Sequence, residues 1–249
     1  MQGEWELAES QLEARLRLWA IPAALAGAFL LVATGAGHVL VRVFCSMWVH
    51  EIGHAVTAWL CGFPAFPGPW LTPMAQSRSA AFAFLLFASL AAGAYRCLRT
   101  ARPRLAVSFA ALLAVQLFCT LALPEARARQ LVVFMGDGGC LVLGALLMLT
   151  VYAPEDSALK QGWLRWGFLG IGAAAFADAF AQWWASRKDF DRIPFGMNEG
   201  AGLSDPSVLS ETFGWSTDQI VHRYVALGCV CLAALAVAYG RGLFRARSD

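Results

Sequence analysis

The stretch that decides the fold runs from His38 to Cys61 and reads HVLVRVFCSMWVHEIGHAVTAWLC. As a helix rising about 1.5 Å per residue, it is long enough to cross the roughly 30 Å hydrocarbon core of a bilayer. Its middle nevertheless carries His50, Glu51 and His54. A charge at the bilayer centre costs at least about 2.5 kcal/mol, so ionisable groups in such a helix are functional candidates by default. The stretch predicts a membrane helix with a functional centre.

The composition of the whole chain agrees with a membrane protein. Of 249 residues, 59% are hydrophobic and 14% are charged, whereas soluble domains carry roughly 25% charged residues. This surplus of apolar surface excludes a water-soluble globule. The net charge of +2 and the scattered basic residues exclude nucleic acid as a partner.

Apolar stretches long enough to span a bilayer predict an all-α, polytopic transmembrane helical bundle of about seven spans. The predicted spans are residues 19–36, 38–61, 79–98, 105–123, 131–152, 163–184 and 224–244. The first two are separated only by a short Gly-containing turn, so a tight hairpin and one long bent helix are both open, and we take them as two spans.

Four segments follow from this pattern. They are a polar, amphipathic N-terminal segment (1–18), a membrane core with the candidate metal site (19–184), a polar loop (185–223), and a last span with a basic tail (224–249). Within the core, the Pro-rich stretch Phe63 to Trp70 predicts an interfacial loop, because its prolines do not fit a helix interior. Seven cysteines without a CxxC pair favour neither a disulfide framework nor a cysteine zinc site.

The central motif is the HExxH of residues 50–54. On a helix, side chains four residues apart share a face, so the two imidazoles can converge on one Zn²⁺. Glu51 then lies beside the remaining coordination position and can act as general base. The alternative is a pair of core histidines with a neutral, buried Glu51, which requires desolvating three polar groups without a cation.

Catalytic zinc usually takes three protein ligands, so a further ligand is needed. The candidates are Asp137, within Gly136-Asp137-Gly138-Gly139, and Asp178. Glycines beside Asp137 allow close approach of another helix or of a bound peptide, which favours Asp137. Asp178 stays open as the alternative third ligand, or as a carboxylate that pairs with a ligand histidine or a basic group.

HEIGH in a membrane helix, followed about eighty residues later by Gly136-Asp137-Gly138-Gly139, resembles the site-2 protease family of intramembrane zinc metalloproteases. The resemblance implies zinc bound by His50, His54 and Asp137, with Glu51 as the catalytic base. It covers residues 38–152. The chain departs from the family in having Met135-Gly136 before the aspartate and no nearby asparagine, so the resemblance assigns no group that polarises the scissile carbonyl.

We therefore expect a zinc metalloendopeptidase that cleaves membrane-embedded or membrane-adjacent proteins or peptides within the lipid bilayer. The substrate would be locally unwound and docked as an extended strand beside the Pro-rich loop. The alternatives are a non-proteolytic zinc-binding scaffold and a membrane metal transporter. Composition favours the inner membrane of a bacterial cell.

Overall fold

The computed structural model describes residues 18–153, 157–160, 163–198 and 202–248. This part of the chain is mostly helical with almost no strand, in agreement with the all-α prediction. The described residues contain nine α-helices, which we number in chain order. They are α1 Leu18–Val32, α2 Gly35–Val41, α3 Met47–Leu60, α4 Ala80–Arg99, α5 Pro103–Leu117, α6 Glu125–Leu149, α7 Leu164–Ser186, α8 Asp205–Ser207 and α9 Thr217–Ser248. The strands β1 (Met197–Asn198) and β2 (Gly202–Leu203) form one small antiparallel hairpin. Of the predicted N-terminal segment, only Leu18 lies within the described residues.

Within the described residues, five helical segments are long and apolar enough to cross a membrane, the pattern of a multi-pass membrane protein. These are Gly35–Leu60, Ala80–Arg99, Pro103–Ala122, Glu125–Tyr152 and Thr217–Arg241. The first predicted span corresponds to α1, whose described part, Leu18–Val32, is shorter than these five segments. The count of about seven spans is therefore not confirmed.

Helix α7 corresponds to the sixth predicted span and is also not among the five. Its 23 residues give it the length, but glycines, tryptophans and Asp178 lower its hydropathy. Every residue from Gly172 to Phe180 is buried. This middle part of α7 is covered by protein on all sides, so it does not need the hydropathy of a lipid-facing helix.

The chain divides into two compact units. The first contains the described residues up to His50, residues 137–194 and the chain from Trp215 onward; the second contains residues 51–136 and 195–214. Helix α3 begins in the first unit and continues without a break into the second.

In the first unit, α6 and α7 approach closely at two glycines. A methyl group added to Gly144 would lie 2.8 Å from the Gly172 carbonyl oxygen, and one added to Gly172 would lie 2.6 Å from the Gly144 carbonyl oxygen. Small residues at this crossing let the two backbones touch. Further along α7, the ring of Trp183 stacks on Tyr224 of α9 with centroids 4.2 Å apart. These contacts fix the helix that carries Trp183 and Asp178.

In the second unit, a small apolar core surrounds the C-terminal end of α3. It consists of Ala58, Cys61, Phe63, Cys119, Ala128 and Val132. The guanidinium of Arg78 donates to the carbonyl oxygens of Cys119, Thr120 and Leu123, which satisfies the open end of the helical segment that follows α5. The Pro-rich stretch is a loop as predicted, with one antiparallel bridge between Ala65 and Met74.

Candidate metal centre

Helix α3 presents the whole HExxH motif on a single regular helix. It follows directly from a π-helical turn, Arg42–Ser46, a distortion that often occurs at functional sites. Because His50 and His54 are one turn apart on this helix, their side chains lie on the same face. His50 and Glu51 are buried, and His54 is partly buried. The sequence prediction of two imidazoles side by side on one helix therefore agrees with the structure.

In the first unit, Asp137 of α6 lies beside His50. Its Oδ1 is 2.9 Å from His50 Nδ1, and its Oδ2 accepts a hydrogen bond of 2.8 Å from the indole N–H of Trp183. The guanidinium of Arg42 is also near, with 3.5 Å between its nitrogen and Asp137 Oδ1. All of these contacts are buried or nearly so, and the structure thus brings together the two residues that the sequence paired.

Cys140, one turn after Asp137 on α6, belongs to the same cluster. Its sulfur, an Asp137 oxygen and a His50 ring nitrogen all lie within 4.8 Å of one another. The thiol also donates to the carbonyl oxygen of Ser46 at 3.5 Å. Sequence analysis did not select this cysteine, although its i, i+3 spacing from Asp137 places it on the same helix face.

Asp178, the alternative third ligand, is engaged by two basic groups. Its Oδ2 lies 3.2 Å from an Arg42 nitrogen, and its Oδ1 lies 3.1 Å from His38 Nε2. The Asp178 side chain is 1% exposed. Pairing with a basic group is the second role that the sequence left open for this residue.

In the second unit, both ring nitrogens of His54 have neighbours. Nδ1 is 2.7 Å from the carbonyl oxygen of Val132, and Nε2 is 3.1 Å from Oδ2 of Asp205. Asp205 opens the one-turn helix α8. No local signal in the sequence showed that the Asp205 carboxylate would face a histidine of the motif.

Glu51 is also held within the second unit. The hydroxyl of Thr72 donates to Glu51 Oε2 at 2.7 Å and lies 3.0 Å from the Glu51 carbonyl oxygen. Thr72 comes from the loop that follows α3 and contains the bridge between Ala65 and Met74. The predicted general base thus has a fixed orientation, set by a residue that sequence analysis did not select.

The donor set is suitable for zinc, because neutral imidazole and carboxylate oxygen are both zinc ligands. The histidines also have the acceptors that usually accompany metal-binding histidines. A carboxylate faces His50 Nδ1, and a backbone carbonyl faces His54 Nδ1. Such contacts fix the tautomer and leave Nε2 as the nitrogen that binds metal.

No protein-family model, curated protein or solved structure matches this chain.

Proposed function

We propose that the chain is an intramembrane zinc metalloprotease of the site-2 protease type, in the inner membrane of a bacterial cell. His50 and His54 bind the metal, an aspartate completes the ligand set, and Glu51 is the catalytic base. The substrate is a membrane-embedded or membrane-adjacent protein or peptide. One observation supports this most strongly: the motif lies on one continuous apolar helix, and each histidine faces an acceptor through Nδ1.

When bound, the zinc supplies a Lewis acid that polarises the scissile carbonyl and lowers the pKa of a bound water towards 7. Glu51 takes a proton from the attacking water and returns it to the leaving amine nitrogen. Thr72 keeps Glu51 Oε2 in place through its 2.7 Å hydrogen bond. An oriented base loses less entropy on reaching the transition state than a mobile one.

The loop after α3 offers a place for an extended substrate. Phe66 and Trp70 are exposed by 73% and 55%, and the loop folds back on itself, with the N–H of Phe66 donating to the Pro73 carbonyl and the N–H of Ala75 donating to the Pro64 carbonyl. A peptide bound to such a loop satisfies its own backbone groups by strand pairing, which a substrate unwound in a membrane requires. Because Thr72 of this loop contacts Glu51, a peptide docked there would lie near the base.

The experiment that tests the proposal compares Glu51→Gln with His50→Ala in the full-length protein in detergent. Proteolysis is measured with fluorescein-labelled casein and with a labelled single-span peptide, and zinc is measured by mass spectrometry. We expect Glu51→Gln to abolish cleavage and retain the metal, and His50→Ala to lose both. The exposed Glu125, which pairs with Arg129 on the surface of α6, provides Glu125→Gln as a matched control with wild-type behaviour.

Two outcomes contradict the proposal. If Glu51→Gln loses zinc as sharply as His50→Ala, the carboxylate is part of the metal site rather than the base, as in a zinc-binding scaffold. If wild-type protein cleaves neither probe while metal crosses reconstituted vesicles, and Glu51→Gln stops that flux, the chain is a metal transporter.

A further inference from the structure

We infer that Asp205 is the carboxylate ligand of the metal, and that Asp137 acts as a positioning residue which orients His50 from outside the coordination sphere. The inference rests on the proposed metal site on α3. It reverses the role that the sequence resemblance implies for Asp137. It also brings a residue of the polar loop 185–223 into the site.

The contacts of Asp137 account for both of its carboxylate oxygens. One faces Nδ1 of His50 at 2.9 Å, and the other accepts the indole N–H of Trp183 at 2.8 Å. A carboxylate held in this way orients an imidazole and raises its basicity, as in the carboxylate–histidine–zinc arrangement. A metal shared by His50 Nδ1 and Asp137 Oδ1 would have to replace the 2.9 Å contact between these two atoms.

The tautomer of His54 gives independent evidence for Asp205 as a metal ligand. The Val132 carbonyl has no proton to donate, so the 2.7 Å contact requires that His54 Nδ1 carries the proton. Nε2 is therefore the coordinating nitrogen. It is on this side of the ring that Asp205 Oδ2 lies, at 3.1 Å.

The separation of these two atoms matches a shared cation. Zinc bonds of about 2.0 Å at a tetrahedral angle place neighbouring ligand atoms about 3.3 Å apart. The observed 3.1 Å between His54 Nε2 and Asp205 Oδ2 is close to this value. A cation therefore fits between the two groups with a small outward movement of either side chain.

The position of Asp205 is fixed by its own loop. The backbone N–H of Ser204 donates to the Gly196 carbonyl at 2.9 Å, and the N–H of Gly196 donates to the Ser207 hydroxyl at 2.9 Å. The Asp205 side chain is 24% exposed, whereas that of Asp137 is 7% exposed. The Asp205 oxygen that faces His54, Oδ2, is itself buried, so this exposure belongs to the rest of the side chain.

The first unit offers a competing ligand set, formed by His50, Asp137 and Cys140. A metal bound there would have a thiolate ligand, and thiolates are readily detected with Co²⁺ because they give an intense near-ultraviolet charge-transfer band. A site made of imidazole and carboxylate lacks this band. Spectroscopy therefore separates the two arrangements without reference to activity.

The experiment uses full-length protein in detergent, stripped with a chelator and titrated with Co²⁺. We expect Asp205→Asn to lower the Co²⁺ affinity more than about 100-fold and to change the visible absorption, since a ligand is lost. We expect Asp137→Asn to lower the affinity about 10- to 100-fold, the range for residues that support a ligand, with absorption maxima unchanged. Asp205→Glu retains a carboxylate, so its Co²⁺ affinity should stay within about 10-fold of wild type. This result would show that the loop tolerates a substitution at residue 205 and still folds. The exposed Asp191 provides the control Asp191→Asn.

The inference is overturned if Asp205→Asn binds Co²⁺ with wild-type affinity and spectrum. It is also overturned if Asp137→Asn shifts the visible maxima while Asp205→Asn does not. A near-ultraviolet band that disappears in Cys140→Ser would place the metal with Cys140 instead. Proteolysis is scored separately: Asp205-dependent Co²⁺ binding without any cleavage supports this ligand assignment and contradicts the proposed protease.

Discussion

The indole N–H of Trp183 donates to Asp137 Oδ2 over 2.8 Å, between two side chains that are almost completely buried. Asp137 in turn faces Nδ1 of His50. Trp183 therefore lies at the outer end of a hydrogen-bonded chain that ends at the HExxH motif. The ring of Tyr224 in α9 stacks on the indole ring of Trp183 and fixes it. Helix α9 therefore stabilises this series of hydrogen bonds.

Replacing Trp183 with Phe keeps an aromatic ring and removes the donor. We expect a loss of about 1–3 kcal/mol in the free energy of unfolding, because a buried carboxylate loses a partner. We also expect a fall in zinc affinity that does not exceed the 10- to 100-fold typical of a supporting residue. Thermal unfolding and zinc titration measure the two effects. Trp163 is exposed by 83%, so Trp163→Phe is the control. If Trp183→Phe leaves both the unfolding free energy and the zinc affinity unchanged, the hydrogen bonds from Trp183 through Asp137 do not support His50.

Asp178 provides a second prediction, because it pairs with Arg42 and His38. Asp178→Asn keeps the shape and removes the charge. Breaking a fully buried ion pair lowers the free energy of unfolding by about 3–5 kcal/mol. Because Arg42 is 31% exposed and also lies near Asp137, we expect Asp178→Asn to lower it by only about 1–3 kcal/mol. Zinc affinity should stay within about 3-fold of wild type. A variant that unfolds normally but has lost its zinc would show instead that Asp178 is the third ligand.

Thr72 provides a test of how Glu51 is oriented. Thr72→Val removes the hydroxyl that donates to Glu51 Oε2 while conserving the volume. We expect turnover to fall about 10-fold, less than the roughly 100- to 10,000-fold contribution of a complete general base, with KM and zinc content unchanged. Thr72→Ser should restore the rate. The exposed Thr100 offers Thr100→Val for comparison, and a KM effect in place of a rate effect would argue for substrate binding at Thr72.

The glycine crossing in the first unit gives a prediction about stability. Gly172→Ala places a methyl group 2.6 Å from the Gly144 carbonyl oxygen, so the helices must separate. Overpacking of this kind costs about 1–3 kcal/mol. On the same helix, an added Cβ at Gly170 meets nothing within 4 Å, so Gly170→Ala should be neutral or slightly stabilising. Equal unfolding temperatures for the two variants would show that the crossing is looser than described.

The sequence predicted the helical class and most membrane segments, because both follow from the length and periodicity of apolar runs. It was less accurate where polar residues continue a helix. Helix α6 begins at Glu125 rather than near Leu131, and α9 begins at Thr217 rather than near Tyr224. In α9, Ser216 accepts from the N–H of Gln219, a capping contact that Ser216-Thr217-Asp218 predicts for the last helix although it lies before the apolar span.

The site was predictable only in part. HExxH is local, and a helix alone places His50 next to His54. The pairing of His50 with Asp137 was predicted from the glycines beside Asp137 and from a family resemblance, and the structure brings the two residues together. The contacts of Asp205 and Thr72 depend on how loops fold back onto α3, which no local pattern encodes. Asp137 and Asp178 are both buried whereas Asp205 is partly exposed, and burial is a tertiary property.

The central claim is that helix α3 binds one divalent metal through its two histidines. The most direct measurement is the zinc content of full-length protein after chelation, reloading with Zn²⁺ and removal of excess metal. The account predicts one zinc per chain for wild type and none for the double variant His50→Ala, His54→Ala, with both proteins folded by circular dichroism. Equal zinc content in the two proteins, or none in the wild type, would contradict it.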